Sequence, residues 1–192
     1  MTLLKINNLK VYYYTRRGIV KAVDNVSLAI NKGEMVGLVG ESGSGKSTLG
    51  LSIIRVLPPQ AKIISGSVIF NGTDLLKLSE REMRKIRGKE ISMVFQDPLT
   101  SLDPLQKIGD QIVETILEHE PNISKQEAYN MAKKALQEVG IPPDRIGNYP
   151  HQLSGGQRQR VMIALATVLK PKLIIADEPT TALDVIVQDR IM

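Results

Sequence analysis

Apolar residues recur at every second position in two stretches near the start of the chain. Leu9, Val11 and Tyr13 do so within Ile6 to Tyr13, and Val26, Leu28 and Ile30 repeat the pattern. That period is the one a half-buried β-strand imposes, because successive side chains point to opposite faces. Asn31-Lys32-Gly33 then turns the chain into Met35-Val36-Gly37-Leu38-Val39. This run is nearly all apolar and predicts a strand buried on both faces. Ser67 to Phe70 predicts another strand, closed by the turn signal Asn71-Gly72, and Ile91 to Phe95 a further one. From Pro98 to Pro150 the spacing becomes helical. Ile108, Ile112 and Ile116 are spaced by four, and Ala128, Met131, Ala132, Ala135, Leu136 and Val139 follow the i, i+3, i+4, i+7 rule. Ser124-Lys125-Gln126-Glu127 supplies a capping box for the second of these helices, and Pro142-Pro143 ends it. The pattern predicts a helical lobe over 98–150, inserted into a main core made of 1–97 and 151–192. A helix over 156–169 then leads back to an apolar strand, Leu173 to Ala176.

Composition narrows the class. The chain has 192 residues, 42% hydrophobic and 23% charged, which suits one globular domain and argues against a disordered tail. It has no cysteine, so disulfide scaffolds and cysteine-ligated zinc or iron–sulfur sites within these residues are excluded. The longest nearly unbroken apolar stretch, Val161 to Leu169, is too short to span a bilayer, and the start lacks a secretory apolar segment. The expectation is a soluble intracellular protein. A net charge of +5 fits a polyanionic partner, whether nucleotide, nucleic acid or anionic membrane surface, and equally fits a solvated surface. The basic stretch from Arg81 to Lys89 reads as a solvated helix face.

The strongest chemical signal is Gly40-Glu41-Ser42-Gly43-Ser44-Gly45-Lys46-Ser47, a full G-x-x-x-x-G-K-[ST] pattern between a predicted strand and a predicted helix. Its glycines let consecutive backbone N–H groups converge on one concavity, to which the following helix adds its positive end. Lys46 can reach the outer phosphates of a nucleoside triphosphate, and the Ser47 hydroxyl can ligate Mg²⁺. A second site follows the strand Leu173 to Ala176. There Asp177 is placed to hold Mg²⁺, directly or through water, and Glu178 to orient or deprotonate an attacking water. A third segment is Leu153-Ser154-Gly155-Gly156-Gln157. Ser154 can cap the helix that follows, while Gly155 and Gly156 clear its N-terminus, so that its amides form a further anion site.

With the phosphate loop before it and Asp177-Glu178 after it, this segment makes the chain resemble the ATP-binding subunits of ABC transporters over essentially its whole length. The resemblance implies an α/β fold: a P-loop NTPase (RecA-like) core with an N-terminal antiparallel β-subdomain and an inserted α-helical subdomain. It implies ATP and Mg²⁺ as cofactors and transport-coupled ATP hydrolysis as the activity. Gly40, Ser42, Gly43, Gly45, Lys46, Ser47 and Thr48 would hold the nucleotide. Ser154, Gly155, Gly156 and Gln157 would touch the γ-phosphate held by a second subunit in a head-to-tail dimer. Gln96 matches the glutamine that contacts Mg²⁺ and the attacking water, which gives Ser47, Gln96 and Asp177 as metal ligands and Glu178 and Gln96 as the catalytic pair. An aromatic near the end of the first strand stacks on adenine in this family. Tyr12, Tyr13 and Tyr14 compete for that role, and Tyr13 is preferred because it shares a face with Leu9 and Val11. Thr181-Ala182-Leu183-Asp184 resembles the loop that crosses the dimer interface.

A finer resemblance runs through Phe95 to Pro104, Tyr149-Pro150-His151 and Ala176 to Asp184, which are similar to the oligopeptide and dipeptide importers. Nickel importers share much of this wording. The implied partners are integral membrane permease subunits, a second ATP-binding subunit (identical or paralogous) and, indirectly, a solute-binding protein. The implied location is the cytoplasmic face of the cell membrane. A nucleic-acid-associated ATPase of the same fold is the alternative. It is opposed by the absence of cysteine and by the short spacing between Lys46 and Ser154, which leaves no room for a long coiled coil, so no nucleic-acid partner is expected. Family members carry a histidine beyond the catalytic Glu that contacts the γ-phosphate, and neither His119 nor His151 stands there. The expectation is a C-terminally truncated chain that binds nucleotide through its own loop and hydrolyses it poorly.

Overall fold

The computed structural model describes residues 1–97 and 101–179, grouped in two compact units, Met1–Arg87 and Gly88–Met192. In the first unit, β1 (Thr2–Thr15) and β2 (Gly18–Asn31) form a long antiparallel hairpin. The strand β3 (Ala61–Phe70) pairs with the other edge of β1, and β4 (Thr73–Asp74) closes the sheet in the order β2-β1-β3-β4. Asn71 and Gly72 connect β3 to β4 with positive φ values of 47° and 85°, as an Asn-Gly hairpin turn requires. Leu4, Ile6, Leu9 and Val11 of β1 are fully buried and carry the core of the unit with Val68, Leu75 and Met83.

Between Ile6 and Leu9 the burial phase of β1 slips by one residue. Two residues of β1, Asn7 and Asn8, stand there against the single Ser27 of β2. Asn8 takes φ +46°, as a bulged residue near the left-handed region does. By Val11 the slip is offset, at Asn25 (φ +61°) in β2 and near Ile64 in β3, and the β1–β2 register shifts once more between Val11 and Tyr12. Asn8 and Asn25 are joined by a side-chain hydrogen bond of 3.1 Å. Gly66 (φ +104°) lies in this crease, and a Cβ there would come within 2.6 Å of the Leu9 Cα.

Helix α1 (Lys46–Ile53) and helix α2 (Glu80–Ile86) complete the unit. Ser79 starts α2 with a reciprocal capping box to Glu82. The basic stretch is only partly a solvated face. Arg81, Arg84 and Lys85 are exposed, but Arg87 pairs with Glu80 and donates to the carbonyl oxygens of Ile54 (2.7 Å) and Arg55 (3.2 Å).

The predicted buried strand Met35–Val39 does not form. These residues carry no strand ladder, and Met35, Leu38 and Val39 are 84%, 53% and 96% exposed. An apolar run becomes a strand only where other strands flank it and satisfy its backbone groups, and none among the described residues does so.

In the second unit, β5 (Ile91–Val94) and β6 (Leu173–Ala176) form a parallel pair. Helices α3 (Ile108–His119), α4 (Lys125–Glu138) and α5 (Gly155–Thr167) pack around Ile108, Ile112, Ile116, Leu136, Val161 and alanines of α4 and α5. Ser124 caps α4 through the expected box with Glu127. Two expectations need correction. Met131 sits at the edge of the α4 stripe and is 37% exposed, since Ala128, Ala132, Ala135 and Leu136 already fill the face turned to the core. The strand β6 is buried only at Leu173. Ile174 and Ala176 point to an exposed face, which no described strand or helix covers. No helix among the described residues is long and apolar enough to cross a membrane.

Candidate functional site

In the first unit the loop 40–47 runs straight into α1. Gly43 and Gly45 hold φ values of +79° and +94°, which side chains disfavour, and the Ser44 N–H donates to the Glu41 carbonyl at 3.2 Å. A side chain has no room at Gly45, and at Gly40 it would displace the Ser44 hydroxyl. A Cβ on Gly45 would fall well inside 3.0 Å of the Ala22 carbonyl oxygen, and one on Gly40 would meet the Ser44 Oγ at 2.7 Å. Backbone amides can therefore approach a ligand without an intervening side-chain layer.

The start of α1 has a helix end's usual surplus of N–H donors, and little in the chain offsets it. Its first turn holds no acidic residue, and the N-cap Gly45 has no side chain with which to cap. The Lys46 Nζ folds back over the loop and donates to the carbonyl oxygens of Gly40 and Glu41, both at 2.8 Å. Positive charge is thus held over a ring of main-chain groups. Ser47 lies half-buried beside it, Ser42 is exposed on the loop, and Thr48 is buried in the first turn of α1.

The structure separates the three tyrosines. The Tyr12 hydroxyl donates to Asp24 at 2.8 Å, which holds its phenol above the ordinary pKa, and Lys21 lies over its ring. Lys62 lies 5.6 Å from the ring centre of Tyr14. Tyr13 shares a hydrogen bond of 3.2 Å with Thr48, and so is the one that reaches α1.

In the second unit Asp177 and Glu178 follow β6 directly. The Asp177 N–H donates to the Val94 carbonyl at 2.9 Å, continuing the ladder one step beyond the strand. Glu178 has φ +47°. Its Oε2 accepts from the Gln96 Nε2 at 2.7 Å, which brings together two residues 82 positions apart that were assigned one catalytic task.

At the start of α5, the Ser154 Oγ accepts from the Gln157 N–H (3.3 Å) and the Gln157 Oε1 accepts from the Ser154 N–H (3.0 Å). This reciprocal cap defines the helix end, and a Cβ on Gly155 would meet nothing within 4 Å. The side next to Gly155 is open, as an anion site at a helix tip needs. Arg158 fixes the approach to this tip by donating to the Leu153 carbonyl at 2.7 Å.

The sequence reading missed Gln159. It lies between two arginines and looks like part of a polar face, yet it is fully buried and donates to the Pro179 carbonyl at 2.7 Å. Its partner is 20 residues away, so no local pattern marks it. Thr181 to Asp184, expected to form a loop at a dimer interface, and Pro98 to Thr100 lie outside the described residues.

The arrangement fits a triphosphate: a glycine-rich loop in left-handed backbone at Gly43 and Gly45, a lysine over it, and a helix end without an acid. Ser47 in the first unit, and Gln96 and Asp177 in the second, each carry a hard oxygen donor of the kind magnesium takes. No group of three or more His, Cys, Asp or Glu residues able to hold a metal alone occurs among the described residues.

A probable peptide ABC transporter ATP-binding protein of Sinorhizobium fredii is 49% identical over 193 residues, covering 99% of this chain and 57% of its own length. The dipeptide transport ATP-binding protein DppD of Lactococcus lactis is 50% identical over 191 residues, covering 98% of this chain and 55% of its own length. The chain thus spans a little over half the length of these curated relatives. Among solved structures, a dimeric ATP-binding cassette in a post-hydrolysis state bound to ADP and Pi has a TM-score of 0.89 at 34% identity. That match covers 98% of this chain and 79% of the cassette. The fold is therefore that of a P-loop NTPase cassette with mixed α/β structure. Residues 23–181 match the ABC transporter family, from β2 through the phosphate loop and Ser154 to the residues after Glu178, and the chain belongs to that family.

Proposed function

We propose that this chain is the ATP-binding and ATP-hydrolysing part of an ABC importer for oligopeptides or dipeptides. The observation that carries the reading is the loop 40–47. Its glycines leave the main chain bare, α1 begins without an acidic residue, and Lys46 is held over the loop by carbonyl oxygens that phosphate oxygens would replace. The peptide cargo is taken from the names of the similar transport proteins in Sinorhizobium and Lactococcus. The nucleotide is taken from the cassette bound to ADP and Pi.

In this reading Gly40, Ser42, Gly43, Gly45, Lys46, Ser47 and Thr48 bind the phosphates, and Tyr13 stacks on adenine while Thr48 fixes its ring. Ser47, Asp177 and Gln96 hold Mg²⁺, which neutralises charge on the phosphates when bound. Glu178, steered by Gln96, orients and deprotonates the attacking water. Ser154, Gly155, Gly156 and Gln157 complete a second subunit's site in a head-to-tail dimer, in line with the dimeric state of the similar cassette. The helical lobe over 98–150 passes motion to permease subunits at the cytoplasmic face of the membrane, and a solute-binding protein delivers the cargo. ATP drives the cycle because it binds the closed dimer more tightly than the open one.

Two substitutions test the assignments. Lys46→Ala removes a cation able to make charge-assisted bonds, and should weaken ATP binding by at least about tenfold. In a version that turns ATP over, Glu178→Gln should retain binding, stop hydrolysis and accumulate ATP-bound dimers. Unchanged ATP affinity in Lys46→Ala, or rapid turnover by Glu178→Gln, would overturn the reading.

A further inference from the structure

Gln159 stands in a place that packing alone does not explain. Its side chain is fully buried in α5, and its Oε1 has no hydrogen-bond partner among the described residues. A leucine would fill the same volume without an orphaned acceptor, so the amide has to serve through its other end. That end, Nε2, donates to the Pro179 carbonyl at 2.7 Å. Proline has no backbone N–H, so this carbonyl is the only main-chain group by which residue 179 can be held.

The residue just before it, Glu178, has φ +47°, a conformation that a side-chain-bearing residue keeps only where its surroundings enforce it. Contacts on both sides of it and at its carboxylate bear on it here. The Asp177 N–H is tied to Val94 at 2.9 Å on the upstream side. The Glu178 carboxylate is held by Gln96 at 2.7 Å. Gln159 holds the downstream side through Pro179.

We propose that Gln159 is a positioning residue for Glu178, locking the loop 177–179 in the strained conformation that aims the carboxylate at Gln96. The inference rests on Glu178 acting as the general base. It adds a link between two functions, because the helix that carries Gln159 starts at Ser154, little more than a turn away. The helix tip assigned to the neighbouring subunit's phosphate and the loop holding this subunit's own base are joined by one hydrogen bond. A shift of α5 at its tip therefore reaches Glu178 without passing through the sheet.

The test compares the chain with Gln159→Leu, which keeps the volume and removes the donor, using amide hydrogen exchange read by mass spectrometry. The expected result is exchange at Asp177 and Glu178 at least about tenfold faster, with α5, β5 and the melting temperature unchanged. Gln159→Glu, whose buried carboxyl stays protonated and can still donate, should retain the parent pattern. Where turnover is measurable, Gln159→Leu should lower kcat with KM for ATP unchanged. If Gln159→Leu does not fold, Gln159→Met takes its place in the same measurements. Unchanged exchange at Asp177 and Glu178 would overturn the proposal. So would equal acceleration throughout α5 and β5, which marks a packing role. The exchange measurement needs no nucleotide, so a chain that fails to bind ATP sinks the functional reading and leaves this one to be judged by itself.

Discussion

Gly43 and Gly45 both hold left-handed backbone, at φ +79° and +94°, but only Gly45 presses against another strand. Substituting each with alanine separates two physical costs. At Gly43 a Cβ would meet nothing within 4 Å, so Gly43→Ala should cost only the conformational strain, about 1–2 kcal/mol. At Gly45 the same strain is joined by a collision with the Ala22 carbonyl oxygen of β2. Overpacking of this kind adds about 1–3 kcal/mol, for a total of about 2–5 kcal/mol. Because the collision is with main chain, no rotamer relieves it, and the loop itself must move. Urea unfolding followed by tyrosine fluorescence, with Tyr12, Tyr13 and Tyr14 in the affected unit, reads the stability difference. Titration with a fluorescent ATP analogue reads the cradle. Gly45→Ala should lose roughly twice the stability that Gly43→Ala loses, and its ATP affinity should fall much further. Ala22→Gly in the Gly45→Ala background should recover nothing, since it leaves the carbonyl in place. Equal losses for the two glycines, or rescue by Ala22→Gly, would refute the argument.

Other expectations follow from the same geometry. Tyr13→Ala should weaken ATP binding by about 1–3 kcal/mol, as loss of one base–aromatic stack does, while Tyr12→Ala and Tyr14→Ala should leave it nearly unchanged in the same titration. Ser154→Ala removes one half of the α5 cap and should cost about 1 kcal/mol, seen as faster amide exchange at Gln157. The carboxyl of Glu127 is held below its ordinary pKa of 4.5, first by the Ser124 backbone N–H and then by the Ser124 hydroxyl. A depressed folded-state value means that this contribution is complete above the unfolded pKa and lost as pH falls through the folded one. Carboxyl NMR titration should show Glu127 moving back up in Ser124→Ala, and the first turn of α4 fraying on acidification in the parent chain.

What the sequence made legible was local. The capping box at Ser124 joins groups three residues apart, and the Asn71-Gly72 turn depends only on the backbone freedom of its own two residues. The glycine-lysine loop was legible for the same reason, because its chemistry is built from consecutive amides. The carboxylate of Glu178 was legible from its place at the end of an apolar strand and Gln96 only through family resemblance, and a 2.7 Å contact brings them together across 82 residues. The failures share one cause. Met35 to Val39 is apolar enough for a central strand, but burial depends on what lies to either side, which a one-dimensional pattern does not state. Gln159 escaped notice for a related reason, since the carbonyl that gives it a partner inside the protein lies 20 residues away. The bulge at Asn8 was visible in principle. Leu4 and Ile6 share one phase and Leu9 and Val11 the other, so the skipped beat between them marks the extra residue.

That extra residue has a consequence for how this region can change over time. The offset introduced at Asn8 is cancelled by one at Asn25 in β2 and by another near Ile64 in β3, so the three irregularities are a matched set. Deleting Asn8 alone would invert inside and outside for every residue of β1 on one side of the crease, carrying Tyr13 away from Thr48. A length change here that keeps both faces of the sheet therefore needs compensating changes in β2 and β3, which lie in separate stretches of the chain.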